Sequence, residues 1–238
     1  MEVPIGISRR HVHLSEADAA TLFGTPSLEV ARTIRQPGQF AARQRVTVRG
    51  PDGELEGVRV VGPARGETQV ELSRSDAARI GVAPPVAASG VLGESSGGVT
   101  LVGTAGQLTL ARGVIVAARH LHVSPEDAAR WGVHDGDLLD VRCGQGARAV
   151  TWHAVRVRTG PAHATELHLD EDEAHAAALE AGALARIVGR RDARPTRRPL
   201  VTERELLAIV RTGAPVPDNA LFTPSARDRA RALGIALP

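Results

Sequence analysis

The chain has 238 residues, 42% of them hydrophobic and 24% charged, enough for one sizeable core or two small ones. Net charge is only +2, aromatic residues make up 2% and tyrosine is absent, which argues against a nucleic-acid partner, since that needs clustered cations and stacking rings. All 29 cationic side chains are arginine, which excludes a Schiff-base lysine, a P-loop lysine and a lysine base, and the single Cys143 permits no internal disulfide and fits a reducing cytoplasm.

From the N-terminus, MEVPIGISRR lacks the cationic start and long apolar run of a signal peptide. No later stretch reaches the ~20 apolar residues of a membrane span. The expectation is a soluble, cytoplasmic protein with neither a membrane nor a nucleic-acid partner. The first informative segment is RRHVHLSEADAATLFG, residues 9–24. Val-rich alternation follows in RVTVRG and ELEGVRVVG, broken by glycine and proline turns. Next come the turn GPARGETQ and the segment VELSRSDAARIGV, residues 70–82. More strand patterns, GVTLVG and QLTLARGVIVAAR, lead into ARHLHVSPEDAARWGV at 118–133. DLLDVRCG and HAVRVRTG continue the β pattern, and LHLDEDEAHAAALEAG, residues 167–182, closes the series.

The pattern R-H-x-H-x-S-x-x-D-A-A thus occurs twice, from Arg10 and from Arg119, and a weaker copy follows each. Aligned on the polar residue after the strand, the four copies give Ser15, Ser73, Ser124 and Asp170, each followed three residues later by an acid. That is a variant capping box, predicting a strand, a cap and about two turns of helix per copy, mostly ended by glycine. Two residues before each cap stand His13, Glu71, His122 and His168. His11 and His120 lie two residues earlier still, on the same strand face as His13 and His122.

Many short strands with glycine turns favour a mainly β fold with short helices, in two small barrel-like halves capped by helices with the site between them. The repeat divides them at 1–93 and 94–190. The remainder, 191–238, reads as an arginine-rich linker, with Arg190, Arg191, Arg194, Arg197 and Arg198 in a solvated run, and a helical extension with Thr202 and Thr223 as N-caps.

One H-x-H alone is weak evidence, but two copies with Glu71 and His168 in register point to bound divalent metal. Zinc is the default for such donors; cobalt, nickel and iron also suit imidazole. His134, His153, His163 and His175 lack the pattern and read as surface or packing residues. Arg10 and Arg119 alternate to the opposite strand face, which makes them structural or peripheral. Arg65, in the turn before Glu71, is placed to hold a phosphate or carboxylate. Cys143 and Ser89 belong to no recognisable nucleophile motif.

VPIGISRRHVHLS, PGQFAA, GPARGETQVELSRSDA, GVTLVG, GVIVAARHLHVSPEDAARWGV and TELHLDEDEA, in order over residues 3–180, resemble the PduL-type phosphate propanoyltransferases. The resemblance implies two small β-barrels, a dinuclear zinc site between them, and the reaction acyl-CoA + phosphate ⇌ acyl phosphate + CoA. It implies that His11 and His13 hold one zinc, that His120, His122 and His168 hold the other, and that Glu71 lies close to both. Arg65 matches the phosphate-binding arginine and is the expected catalytic residue. The Gln36–Ala41 loop is expected near the CoA side. Members in bacterial microcompartments carry an amphipathic N-terminal extension, which is expected to be missing here. The segment from 199 resembles a helical module on microcompartment-associated proteins, so shell or cargo proteins are candidate partners and a microcompartment a candidate location, with packing on the host domain the alternative. The acyl group, acetyl or propanoyl, and any homo-oligomer stay open. Two other functions stay in view: a metal-dependent thioesterase using water, and a non-catalytic metal-binding protein.

Overall fold

The computed structural model describes residues 1–191, 200–212, 216, 220–235 and 237. Chain contacts divide it into Met1–Arg190 and Arg191–Pro238.

In the first unit six strands close a barrel, in the order Glu2–Ser8, Glu166–Asp170, His120–Val123, Val150–Thr159, Leu138–Cys143 and Leu184–Arg191. A nine-stranded sheet curls beside it without closing. Its order is Val86–Ala87, Val114–Ala117, Gln69–Leu72, His11–His13, Glu54–Gly62, Phe40–Arg49, Val99–Val102 and Gln107–Leu110, with Val30–Thr33 paired to Phe40–Arg49. Each sheet wraps its own aliphatic core. Val12, Val46, Val60, Val70, Leu101 and Val114 fill the open sheet, and Val3, Ile5, Leu121, Val141, Val157 and Leu167 fill the barrel. With so few aromatics, β-branched residues supply both the strand propensity and the packing. The expected fold class, mainly β with short capping helices, is what the chain adopts, one half as a closed barrel and the other as a curled sheet.

The halves do not follow the expected division at residues 93 and 94. Glu2–Ser8 belongs to the barrel built from 120–191, where Val3 and Ile5 are buried. Val99–Val102, Gln107–Leu110 and Val114–Ala117 belong instead to the first sheet. Each H-x-H strand is therefore preceded by a strand lying in the other half. Glu2–Ser8 runs parallel to Glu166–Asp170, just as Val114–Ala117 runs parallel to Gln69–Leu72. Alternating hydrophobicity shows that a strand is half-buried but not which core it faces, so a sequence repeat alone places the boundary wrongly. The chain crosses between the halves at Arg9–Arg10 and Ala118–Arg119, next to the histidines.

All four capped helices form: Glu16–Phe23, Arg74–Arg79, Pro125–Trp131 and Glu171–Ala176. Ser15, Ser73, Ser124 and Asp170 each accept the amide three residues on, at 2.8–3.2 Å. Only the last is a full capping box, with the Glu173 carboxylate accepting the Asp170 amide at 3.2 Å. In two copies a threonine replaces the returning acid. The Ser15 amide donates to Thr68 Oγ1 at 2.9 Å and Thr68 donates to Asp18; the Ser124 amide donates to Thr165 Oγ1 at 3.0 Å and Thr165 donates to Asp127 at 2.5 Å. Left-handed glycine closes the first three helices, at Gly24, Gly81 and Gly132, and the amides of Gly81 and Val82 bond back to Ala78 and Ala77 just as those of Gly132 and Val133 do to Ala129 and Ala128. Only the fourth departs from the glycine ending that the sequence suggests: Ala178 takes the left-handed conformation there, and the amides of Ala178 and Leu179 bond back to His175 and Ala174.

The C-terminal unit pairs Leu200–Val201 in parallel with Leu221–Phe222 and carries helices Glu203–Thr212 and Pro224–Ala232 over a small core of Val201, Leu206, Phe222, Ala226 and Ala230. The Thr202 and Thr223 hydroxyls accept the Glu205 and Ala226 amides, as N-caps do. Arg194, Arg197 and Arg198 of the expected linker lie outside the described residues. No helix among the described residues is long and apolar enough to cross a membrane.

Candidate metal centre and active site

In the open sheet His11 pairs across strands with Glu71, and His13 with Gln69. In the barrel His120 pairs with His168, and His122 with Glu166. Cross-strand partners share a face, so each half presents three metal-competent side chains on the face opposite its core. The candidate donor atoms of His11, His13 and Glu71 lie within 4.8 Å of one another, and so do those of His120, His122 and His168. Both sets line one cleft of about 1040 Å³. All six residues singled out in the sequence are thus gathered in that cleft, and Arg65 lines it too.

The tautomers follow from the hydrogen bonds. His11 Nδ1 donates to the Arg9 carbonyl at 2.8 Å and His13 Nδ1 to the Val61 carbonyl at 3.1 Å. A carbonyl can only accept, so both protons sit on Nδ1 and both Nε2 atoms carry lone pairs. Those Nε2 atoms face each other at 3.1 Å. Two acceptors at this distance repel unless a cation lies between them. Ligands of a tetrahedral zinc ion, ~2.0–2.1 Å from the metal, stand close to that far apart. Glu71 completes the set, with Oε2 3.6 Å from His11 Nε2 and Oε1 3.9 Å from His13 Nε2. The donor chemistry fits a divalent ion.

The second half differs in its supports. His120 Nδ1 donates to the Ala118 carbonyl at 2.8 Å, and its Nε2 stands 3.1 Å from His122 Nε2. His168 Nε2 donates to Glu166 Oε2 at 2.8 Å, which leaves its Nδ1 lone pair for a ligand. His122 Nδ1 is buried without a hydrogen-bond partner. A buried ring nitrogen costs free energy when unpaired, so its surroundings are incomplete as they stand.

Charge is tuned toward ligation. Burial, with His168 nearby, pulls His120 down to about 4, and burial with His168 and His120 pulls His122 to about 2. Burial and His11 push His13 well below its ordinary value. Buried imidazoles are thus held neutral, as metal ligands must be. Burial would raise the Glu71 carboxyl, but His11, His13, the Ser89 hydroxyl and Arg65 together hold it at about 2. Ser89 Oγ donates to Glu71 Oε1 at 2.5 Å. Cys143 is buried and its thiol is pushed up to about 11 by burial and Glu173, so it is no nucleophile.

Arg10 and Arg119 are structural. Arg10 pairs with Asp76 at 3.0 Å, while Arg119 pairs with Glu173 at 2.5 Å and stacks over the Trp152 ring at 4.5 Å. Reading the sequence missed four neighbours: Ser89, Arg158, His163 and Glu166. The His163 ring packs on that of His122 at 4.3 Å and lines the cleft, so it is not an ordinary surface residue. Glu166 was detectable. Glu166-x-His168 and Gln69-x-Glu71 repeat the i, i+2 spacing of the two H-x-H motifs. From the Gln36–Ala41 loop, Gln36 is buried and reaches the barrel, where its Nε2 donates to Glu166 at 3.1 Å and its Oε1 accepts the Ala164 amide at 3.1 Å.

The model of the phosphate propanoyltransferase family matches residues 4–180. A phosphate propanoyltransferase of Rhodobacter capsulatus is 48% identical over 186 residues, 78% of this chain and 86% of its own. That of Thermotoga maritima is 48% identical over 77% of this chain and 88% of its own. That of Salmonella typhimurium is 43% identical over 79% and 90%. The family match covers every candidate ligand and ends before the last barrel strand, Leu184–Arg191, and the C-terminal unit.

Proposed function

Because the chain belongs to the phosphate propanoyltransferase family, we propose that it interconverts acyl-CoA and phosphate with acyl phosphate and CoA as a zinc enzyme, with propanoyl-CoA or acetyl-CoA as the donor. The observation that carries this reading is the convergence of two three-ligand sets and Arg65 in one cleft. His11, His13 and Glu71 would hold one divalent ion and His120, His122 and His168 another, supplying Lewis acidity toward the thioester carbonyl and the leaving sulfur.

The chain's own residues do the binding and aiming. Arg65 is half-buried in the turn that bonds back to the first H-x-H strand, its amide donating to the Leu14 carbonyl at 2.8 Å. That anchorage fixes where its guanidinium can hold the phosphate oxygens for attack on the carbonyl carbon. Away from the ligands, the register across four strands forms one row: Glu71, His11, Arg59, Arg45. Arg45 and Arg59 face each other directly, and Arg32 adds its charge, so the three like charges repel. This arginine row suits the phosphates of CoA, with the thioester end directed at the histidines.

Phosphate-dependent thiol release from propanoyl-CoA or acetyl-CoA, with about two zinc ions per chain and abolished by chelation, is the expected result. Equal release without phosphate would make the protein a thioesterase. Arg65→Ala should raise the phosphate KM; an unchanged phosphate KM and turnover would remove that role. The C-terminal unit is read as a module for association with microcompartment shell or cargo proteins. Deleting residues 195–238 should then change localisation while sparing turnover, and unchanged localisation and assembly would end that reading.

A further inference from the structure

A second arginine enters the cleft from the other half. Arg158 pairs directly with His122 across parallel strands, so its side chain leaves the barrel on the histidine face. The corresponding residue beside His13 is Val61, whose carbonyl takes the His13 proton. At Arg158 that carbonyl instead accepts from His163 Nδ1 at 3.0 Å, while the Arg158 guanidinium donates through Nη1 to the Ser89 carbonyl at 3.2 Å. Ser89 is the residue whose hydroxyl holds Glu71. Arg158 thus touches both sides of the cleft, and its charge is felt by Arg65, His120, His122 and His163.

The two carboxylates in contact with the histidines are already committed: Glu71 lies against His11 and His13, and Glu166 bonds to His168. Among the described residues neither Arg65 nor Arg158 makes an ion pair with a carboxylate. Two guanidiniums therefore enter one cleft from its two sides with no carboxylate in direct ion-pair contact with either, Glu71 acting on Arg65 only at longer range. Arginine does not give up its proton at such a site, so the imbalance calls for an anion. A dianion with several acceptor oxygens matches two such donors.

We propose that Arg158 is a second phosphate-binding residue, holding the phosphate from the barrel side while Arg65 holds it from the sheet side. This rests on the acyltransferase reading above. In the step served, a phosphate oxygen forms the bond to the thioester carbonyl carbon. The C–S bond breaks, its electron pair leaves on sulfur, and the phosphate's proton ends on CoA. Neither arginine transfers a proton; both fix the angle of attack.

The test uses the full-length zinc-loaded protein with Arg158→Gln, Arg158→Lys and Arg65→Gln. Arg158→Gln should raise the phosphate KM about tenfold or more, as loss of a charged hydrogen bond does, with the acyl-CoA KM within about twofold and the zinc content unchanged. Arg158→Lys should recover part of that loss. Added inorganic phosphate should raise the melting temperature of the wild type and do so less in Arg158→Gln, a readout independent of turnover. An unchanged phosphate KM and melting shift, or a rise in the acyl-CoA KM alone, would overturn the proposal. Loss of zinc in both Arg158 variants would overturn it too, making Arg158 a support for His122. A wild type that binds phosphate by melting shift yet releases no CoA would instead sink the acyltransferase reading and leave the Arg158 result standing by itself.

Discussion

The two halves of the site share one plan and differ in what supports it. In both, an H-x-H strand lies between an antiparallel strand carrying the third candidate ligand and a parallel strand carrying arginine. In the open sheet the third ligand is Glu71, and both imidazoles of the pair are anchored to backbone carbonyls. In the barrel the third ligand is His168, and His122 has no anchor of its own. The sheet half thus offers an anchored set that includes a carboxylate, and the barrel half an all-imidazole set backed by Glu166. A carboxylate offsets more of a cation's charge than an imidazole does, so an ion held in the barrel half would keep more of its charge for a bound anion. That difference favours the barrel side for the anionic partner and agrees with the position of Arg158.

The comparison breaks first if the halves are not separate centres. His13→Ala and His122→Ala should each lower turnover by more than the ten- to hundredfold typical of residues behind a metal. Each should also remove about one of the two metal equivalents, leaving the other set filled. Metal analysis alongside turnover decides this: both equivalents lost from either variant would mean one shared centre.

A subtler test touches only the barrel half. Gly6 pairs with His168, and a Cβ added there would stand 2.8 Å from the Glu166 carboxyl carbon. In the sheet half Ile115 pairs with Glu71 and is fully buried, so the glycine has no counterpart. Gly6→Ala should push Glu166 off His168 and weaken metal binding in the barrel half about ten- to hundredfold, with the sheet half unaffected. Metal titration of the variant, compared with the wild type, should show one weakened step; two would mean the halves are coupled through the crossing strands.

Much of this site could be read from the sequence, for a physical reason. The candidate ligands ride on a repeated strand–cap–helix unit whose spacing is fixed by local geometry, so alignment of Ser15, Ser73, Ser124 and Asp170 brings His13, Glu71, His122 and His168 into register. The strands were legible from alternation. What did not show was partnership. Nothing in VPIGIS says that Val3 and Ile5 bury in the barrel rather than in the sheet beside His11, because that choice is made by a core more than 100 residues away. Arg158 was hidden likewise. In VRVRT it reads as one polar position of an alternating strand, and only parallel pairing with His122 gives it a role. Ser89 acts through a loop, and loops carry no period to read.

The smallest expected effect tests the repeat itself. Thr68 stands three residues before Glu71 and Thr165 three before His168, and each relays a cap amide to an acid on the helix. Replacement by valine keeps the shape but leaves the amide of Ser15 or Ser124 without its acceptor. Loss of such a bond costs about 1 kcal/mol, more where water cannot reach the orphaned group. Thr68 is buried at 6% exposure, whereas Thr165 is only partly covered. Thr68→Val should therefore lower the denaturation midpoint more than Thr165→Val, with equal denaturant slopes. Equal shifts would mean water satisfies both amides and burial does not separate the halves. A larger shift for Thr165→Val would show that the barrel depends more on its relay than burial alone implies, because the strand carrying Thr165 also positions Glu166 and His168.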